Sequence, residues 1–209
     1  MRGAIGLTVV KLGGSYAFSP HLKSWVNAIA ACAGCAVVVP GGGPFADAVR
    51  EAQSRMGFDD RAAHEMAMLA MEQFGCAVAH LGTPLRRATS ASAIQSVLRA
   101  GGVPVWSPAR MVRGAKDVPW SWNVTSDSLA AWLAGRLGAK HVLLVKHVEV
   151  PAGPLRAEDL VAEGIVDPAF PRFLRASGAE ASITGPAGHP AATAAIRKGE
   201  LVGARVDLG

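Results

Sequence analysis

One pattern occurs twice near the start of this chain and limits what it can fold into: a short apolar strand, a glycine-rich turn, then an amphipathic helix. Ile5 to Leu12 is rich in Val, Leu and Ile and reads as a buried strand that ends at Gly13-Gly14-Ser15. Leu22, Trp25, Val26, Ile29 and Ala30 then recur at helical spacing, and Gly34 stops that helix. Cys35 to Val39 reads as a second buried strand, ended by Pro40 and Gly41-Gly42-Gly43. The next helix opens at Pro44 with Phe45, Ala48, Val49 and Ala52 on one face. Strands joined through helices in this way run parallel. Their crossovers are right-handed, so both glycine turns should open at the carboxyl edge of the sheet, where open α/β sheets bind ligands. The two turns are therefore candidates for one shared site.

The rest of the chain extends the scheme. Asp59 to Gly75 reads as a helix dense in Ala and Met, with Asp59 or Asp60 at its cap. Cys76 to Leu81 and Val103 to Trp106 read as short strands, with a helix from Ser90 to Ala100 between them. Ser126 to Leu137 reads as a helix and His141 to Val148 as the next buried strand. Pro151 to Pro171, richer in proline and charge, reads as loops around a short helix. Ala181 to Thr184 and Leu201 to Leu208 are candidate strands flanking a helix from Ala191 to Lys198. The expected fold class is α/β: a mostly parallel central sheet with helices on both faces, in a single domain over residues 1–209. The Ala- and Met-rich helix could face a sister subunit or the chain's own core; a homo-oligomer is the expectation.

Composition narrows the function. Half of the residues are hydrophobic, enough for a sizeable core. The formal net charge is +5, yet Lys and Arg never form a run longer than Arg86-Arg87. A nucleic-acid protein would cluster that charge in a stripe with interleaved aromatics, so no nucleic-acid partner is expected. Mild positive charge suits a small anionic substrate. No stretch reaches the roughly 18 apolar residues of a membrane span. Gly13 and Gly14 interrupt the first apolar run, which is unlike a secretory signal, and the expected location is the cytoplasm. Cys32 and Cys35 form a CxxC without a second pair or a nearby His. They read as small buried residues at a turn rather than as redox or metal ligands.

The chemistry gathers in four places. In KLGGS, Lys11 stands beside backbone N–H groups of Gly13, Gly14 and Ser15 that no side chain shields, a ready anion site. Alone, this is equally an ordinary strand-end turn. Gly41-Gly42-Gly43 is entropically costly, which suggests that something must approach the backbone closely. Neither turn is the GxxxxGK[ST] loop, nor the GxGxxG fingerprint. In Ser121 to Gly135, Thr125 or Ser126 can cap the helix, and Asp127 is either a helix-start acid or part of a polar cluster with Asn123. Lys146 lies in an otherwise apolar strand, either snorkelling from an edge or at a strand end facing the ligand cleft, and His147 raises the same question.

Read in order, KLGGS, VVVPGGGPFADAVR, NVTSDSLAAWLAGRLGA and HVLLVK resemble the amino-acid-kinase family, over most of Leu7 to Val148. Within it, SWNVTSDSL at Ser121 to Leu129, His64 in the third helix, Phe170-Pro171 and His189-Pro190 are similar to the kinases of methanofuran and methylofuran synthesis. Those enzymes phosphorylate aminomethylfuran methyl phosphate to its diphosphate. The resemblance implies ATP and Mg²⁺ as cofactors and a small phosphorylated substrate. It gives Lys11 the bridging of the ATP phosphates, Asp127 the orientation of Lys11, and Gly13, Gly14 and Ser15 hydrogen bonds to those phosphates. Gly41, Gly42 and Gly43 would hold the acceptor, and Asn123 lies where relatives contact it. His64 could contact the acceptor or be a structural histidine of an apolar helix, and Lys146 and His147 are the candidates for the nucleotide.

Two departures stand out. The acidic step that many members carry after the nucleotide-binding strand is replaced by Lys146-His147-Val148-Glu149. The second phosphate-stabilising lysine found late in some members is not evident either; Arg172 lies near its place. Phosphoryl transfer asks for alignment and positive charge more than for covalent chemistry. An acceptor that is already a phosphate monoester needs no general base. The same scaffold could instead serve a carboxylate, a nucleoside monophosphate or an isoprenoid phosphate, or bind anions without turnover.

Overall fold

The computed structural model describes residues 6–151 and 153–209; Ile5, the expected start of the first strand, lies outside the described residues. The elements run β1 (Thr8–Leu12), α1 (Leu22–Ala30), β2 (Ala36–Pro40), α2 (Gly43–Met56), α3 (Asp60–Leu81), β3 (Leu85–Ala88), α4 (Ala91–Arg99), β4 (Val103–Trp106) and α5 (Ala109–Val112). They continue with α6 (Ser126–Leu137), β5 (His141–Val145), β6 (Leu155–Arg156), α7 (Ala157–Ala162), α8 (Phe170–Ser177), β7 (Glu180–Thr184), α9 (His189–Lys198) and β8 (Ala204–Asp207).

The strands form one sheet in the order β3-β4-β2-β1-β5-β7-β8-β6. The first six are mutually parallel, while β8 pairs antiparallel to β7 and carries β6 with it. Alternation along the strands divides the apolar residues between two cores. Val9, Val37, Val39, Val142 and Leu144 pack with α6 and α8 on one face; Val10, Leu12, Val38, Leu143 and Val145 pack with α1 and α9 on the other. The mostly parallel sheet with helices on both faces is the architecture that the repeated strand–turn–helix pattern predicts.

The order of the strands makes the site. β1 lies between β2 and β5, with Leu12 beside both Pro40 and Val145. The chain winds from β1 towards β2 and returns to add β5 on the opposite side, so the carboxyl end of β1 is a point where the winding reverses. Open α/β sheets leave a crevice there.

Three elements differ from the sequence reading. Cys76 to Leu81 is not a strand but the last turns of α3, because Met71, Phe74, Gly75 and Val78 continue the buried helical stripe. The strand of that region is β3, whose Arg86 and Arg87 point outward at the sheet edge and break up the apolar run. The helix α8 begins inside the stretch read as loop, with Pro171 in its first turn and Phe170, Phe173 and Leu174 buried. Asp59 caps α3 as expected, accepting the Ala62 N–H at 2.9 Å. Most of the Ala and Met of that helix pack within the chain, leaving Met66, Leu69 and Leu81 as its exposed large hydrophobic residues. Among the described residues no helix is long and apolar enough to cross a membrane.

Candidate active site

The two glycine turns lie backbone against backbone at the carboxyl edge. Gly41 N–H donates to Leu12 O at 2.8 Å and Gly13 N–H to Val145 O at 3.1 Å, which ties both turns to the central strand ends. A methyl group on Gly14 would overlap the Gly43 main-chain nitrogen, and one on Gly41 would overlap Gly14. Gly43 also has φ +56°. The glycines are thus needed first for the turns to touch each other, beyond the ligand approach that the sequence suggested. The exposed side of the pair opens into a cleft of about 500 Å³, within the range of small-molecule sites. Gly14, Ser15, Gly41, Gly42 and Gly43 line it; Gly13 is turned towards β5.

Beneath the turns lies a buried charge cluster. Lys11 shares a face of β1 with Val9, the face that α6 covers, and its Nζ is 2.9 Å from Asp127 Oδ1. Lys146, the first residue beyond β5, donates from Nζ to Asp127 Oδ2 at 2.7 Å. Lys11 is 5% exposed and Asp127 4%. Burial alone would raise the Asp127 pKa, but the two ammonium groups outweigh it and hold the carboxyl at about 2. Lys146 moves the other way: burial, then repulsion from Lys11, depress it to about 8 against the attraction of Asp127. Its main chain is pinned, since Lys146 N–H donates to Thr184 O at 2.9 Å and the Tyr16 hydroxyl donates to Lys146 O at 2.8 Å. Of the two positions open for Lys146, the structure places it at the strand end facing the cleft.

The start of α6 is held from far along the chain. Thr125 occupies the N-cap position but makes no side-chain cap bond there. Instead Asp167 accepts the N–H groups of Thr125 and Ser128 at 2.9 and 3.0 Å, and both of their hydroxyls. No local motif announces this acid. Its Val-Asp-Pro setting lies in the charged, proline-rich stretch that reads as loop, and only the contact between α6 and the α7–α8 loop reveals it.

The remaining residues singled out from the sequence divide. His64 lines the cleft, buried, with Nε2 unpartnered and its pKa lowered by burial against an opposing pull from Glu65. His147 is exposed outside the cleft, edge-on to Tyr16 with ring centroids 5.3 Å apart. Asn123 is also exposed, its carbonyl accepting the Ala169 N–H at 3.1 Å. Arg172 stacks on Phe173 at the outer side of α8, away from the charge cluster. The second cation beside Lys11 is Lys146. A smaller hollow of about 340 Å³ continues along the sheet edge past β5 and β7, between Glu149, Thr184, Gly185 and Gly203.

Two ammonium groups on one buried carboxylate, beneath the main-chain amides of two glycine turns at the winding reversal of a parallel sheet, form a site suited to phosphate groups. The sequence model of the Amino acid kinase family matches residues 6–150, and the chain belongs to that family of phosphotransferases. A curated relative, the [5-(aminomethyl)furan-3-yl]methyl phosphate kinase of Methanocaldococcus jannaschii, is 26% identical over 178 residues, 80% of this chain and 82% of the relative. Among solved structures, the uridylate kinase of Archaeoglobus fulgidus superposes with a TM-score of 0.73 at 18% identity, covering 96% of this chain and all of that one. An isopentenyl phosphate kinase gives 0.61 at 20% identity, with the same coverage. These structural likenesses bear on the fold.

Proposed function

We propose that this chain transfers the γ-phosphoryl group of ATP to a small acceptor that already carries a phosphate monoester, yielding a diphosphate and ADP. The acceptor named by this reading is an aminomethylfuran methyl phosphate, as the name of the curated relative suggests, and the step would then belong to methanofuran- or methylofuran-type cofactor synthesis. The observation that carries the proposal is the Lys11–Asp127–Lys146 cluster at the floor of the cleft.

In this reading an ionised oxygen of the acceptor attacks the γ-phosphorus, the bond to the bridging oxygen of ADP breaks, and ADP leaves with the electron pair. A monoester oxygen is ionised near neutral pH, which suits a cleft without a paired His and carboxylate. Lys11 and Lys146 supply positive charge to the oxygens between donor and acceptor. Asp127 lets the two cations lie close together without ligand, and keeps them aimed. Main-chain amides of the two turns add donors that need no reorganisation. The smaller hollow past β5 and β7 would take the nucleoside end of ATP.

Mg²⁺ fits less directly. Among the described residues no group of three or more His, Cys, Asp or Glu could hold a metal ion, and Asp127 is already engaged by two lysines. Mg²⁺ would have to arrive on the nucleotide phosphates, as this ion commonly does.

The test is ADP release from ATP across an acceptor panel: aminomethylfuran methyl phosphate, uridine monophosphate, isopentenyl phosphate and acetylglutamate. Turnover with the furan phosphate, at a kcat/KM at least about tenfold above the others, is the expected result. Preference for another acceptor overturns the substrate assignment. Calorimetric binding of ATP with no ADP formed from any acceptor overturns catalysis.

A further inference from the structure

Asp167 lies outside every motif legible in the sequence, yet it organises the segment that bears Asp127. It sits between α7 and α8 in Val166-Asp167-Pro168, on the wall of the cleft, and is 7% exposed. Its Oδ2 accepts the Thr125 N–H at 2.9 Å, the Thr125 hydroxyl at 2.8 Å and the Ser128 N–H at 3.0 Å; its Oδ1 accepts the Ser128 hydroxyl. Asp127 stands between these two anchored residues, so the turn that presents its carboxylate is clamped on both sides.

A cap for the helix alone would not require this arrangement. Thr125 already occupies the N-cap position, and a threonine there ordinarily supplies the cap from its own side chain. Here that hydroxyl is turned to a carboxylate 42 positions away. Asp167 is also an expensive group to bury at this place: burial and the nearby charge of Asp127 both push its pKa up, and only the bonds from Ser128 and Thr125 counter them. Two carboxylates at one helix start, one accepting from the main chain and the other from two lysines, do different jobs. The first fixes where the second points.

We propose that Asp167 is a positioning residue of the phosphoryl-transfer site: by clamping Thr125 and Ser128 it holds the Asp127 carboxylate where it engages Lys11 and Lys146 together. The catalytic consequence rests on the kinase reading above; the placement itself does not, and can be measured without turnover. Lys146 reports it. That ammonium faces Lys11 from β1 and Asp127 from α6, and Asp127 is the partner that offsets burial and the repulsion from Lys11. If Asp127 swings away, the Lys146 midpoint must fall further.

The experiment compares Asp167→Ala, Asp167→Asn and Asp167→Glu, each checked for folding by circular dichroism. It reads the Lys146 amine titration by NMR on the unliganded protein, and kcat and KM in the ADP-release assay. Asp167→Ala should lower the Lys146 midpoint and cut kcat by about 100-fold, with KM for ATP within about threefold, the signature of a misplaced catalytic group. Asp167→Asn, whose Oδ1 can still accept from the Thr125 and Ser128 N–H groups while its Nδ2 donates to the Ser128 hydroxyl, should leave the midpoint in place and keep kcat within about tenfold. Asp167→Glu keeps the charge but displaces its oxygens by a methylene and should lose more than Asn; this pair decides the matter if the alanine variant does not fold. A folded Asp167→Ala with a lower melting temperature but an unchanged Lys146 midpoint and kcat would reduce Asp167 to a cap. Glu matching the parent while Asn fails would show that charge, not placement, is its contribution. If no acceptor is turned over the kinase reading fails, and the titration still decides the role of Asp167.

Discussion

The two halves of the cleft are built on opposite principles. The half formed by the turns after β1 and β2 depends on atoms that are missing: Gly14, Gly41 and Gly43 let one main chain lie on another. The half formed by the start of α6 and the end of β5 depends on side chains that are present and charged: Asp127 between Lys11 and Lys146, with Asp167 behind it. The first half should resist added volume, and the second should resist lost charge. Substitutions in the first half should therefore cost stability, and those in the second should cost rate.

The sharpest way to break this contrast is Lys11→Ala. Turnover should fall by about three orders of magnitude or more with the fold intact, since Asp127 keeps Lys146 as a partner. ADP release by the folded variant measures it, and a near-normal rate would remove Lys11 from the mechanism. Lys146→Met should cost about 10²-fold in kcat, in the range for removal of one charge-stabilising donor. It also carries a pH signature. With its pKa near 8, Lys146 loses its proton as pH rises through that value, so kcat/KM for ATP should decline on the alkaline side with that midpoint. The methionine variant should lack that limb.

Stability has its own sign at Lys146. Between pH 8 and the unperturbed 10.5 the folded chain has released a proton that the unfolded chain still holds. Burying this lysine therefore costs stability at neutral pH, and the cost is relieved as pH rises through that window. In the other half, Gly14→Ala should act on stability, lowering it by about 1–3 kcal/mol and the melting temperature by about 5 °C in calorimetry. Smallest of all should be Arg172→Ala. Its guanidinium stacks on Phe173 away from the cleft, and steady-state rates should stay within about twofold.

Much of the glycine half could be read from the sequence, because its signals are local. A buried strand, two or three glycines and an amphipathic helix occupy consecutive positions, and parallel crossovers bring both turns to one edge without knowledge of any other contact. The charged half could be read only in fragments. Lys11, Asp127 and Lys146 each carried a second reading, as a turn lysine, a helix-start acid and an edge lysine. Only the placement of β1 between β2 and β5 brings the ends of β1 and β5 together over α6. The misread Cys76–Leu81 segment has a related cause. Six apolar-rich residues fit a strand or a helix equally, and the buried stripe running on from Phe74 through Val78 decided for helix.

What the sequence by itself determined is the class of fold and the edge at which its two glycine turns meet, because hydrophobic periodicity and the hand of a crossover are properties of short stretches of chain. What only the tertiary structure decided is the charge pattern of the site: that Lys146 rather than Arg172 accompanies Lys11, and that Asp167 fixes Asp127. The physical reason is distance along the chain. Asp127 lies 116 residues from Lys11 and 40 from Asp167 in the sequence, and electrostatic partners are chosen by separation in space. No spacing rule along the chain encodes that choice.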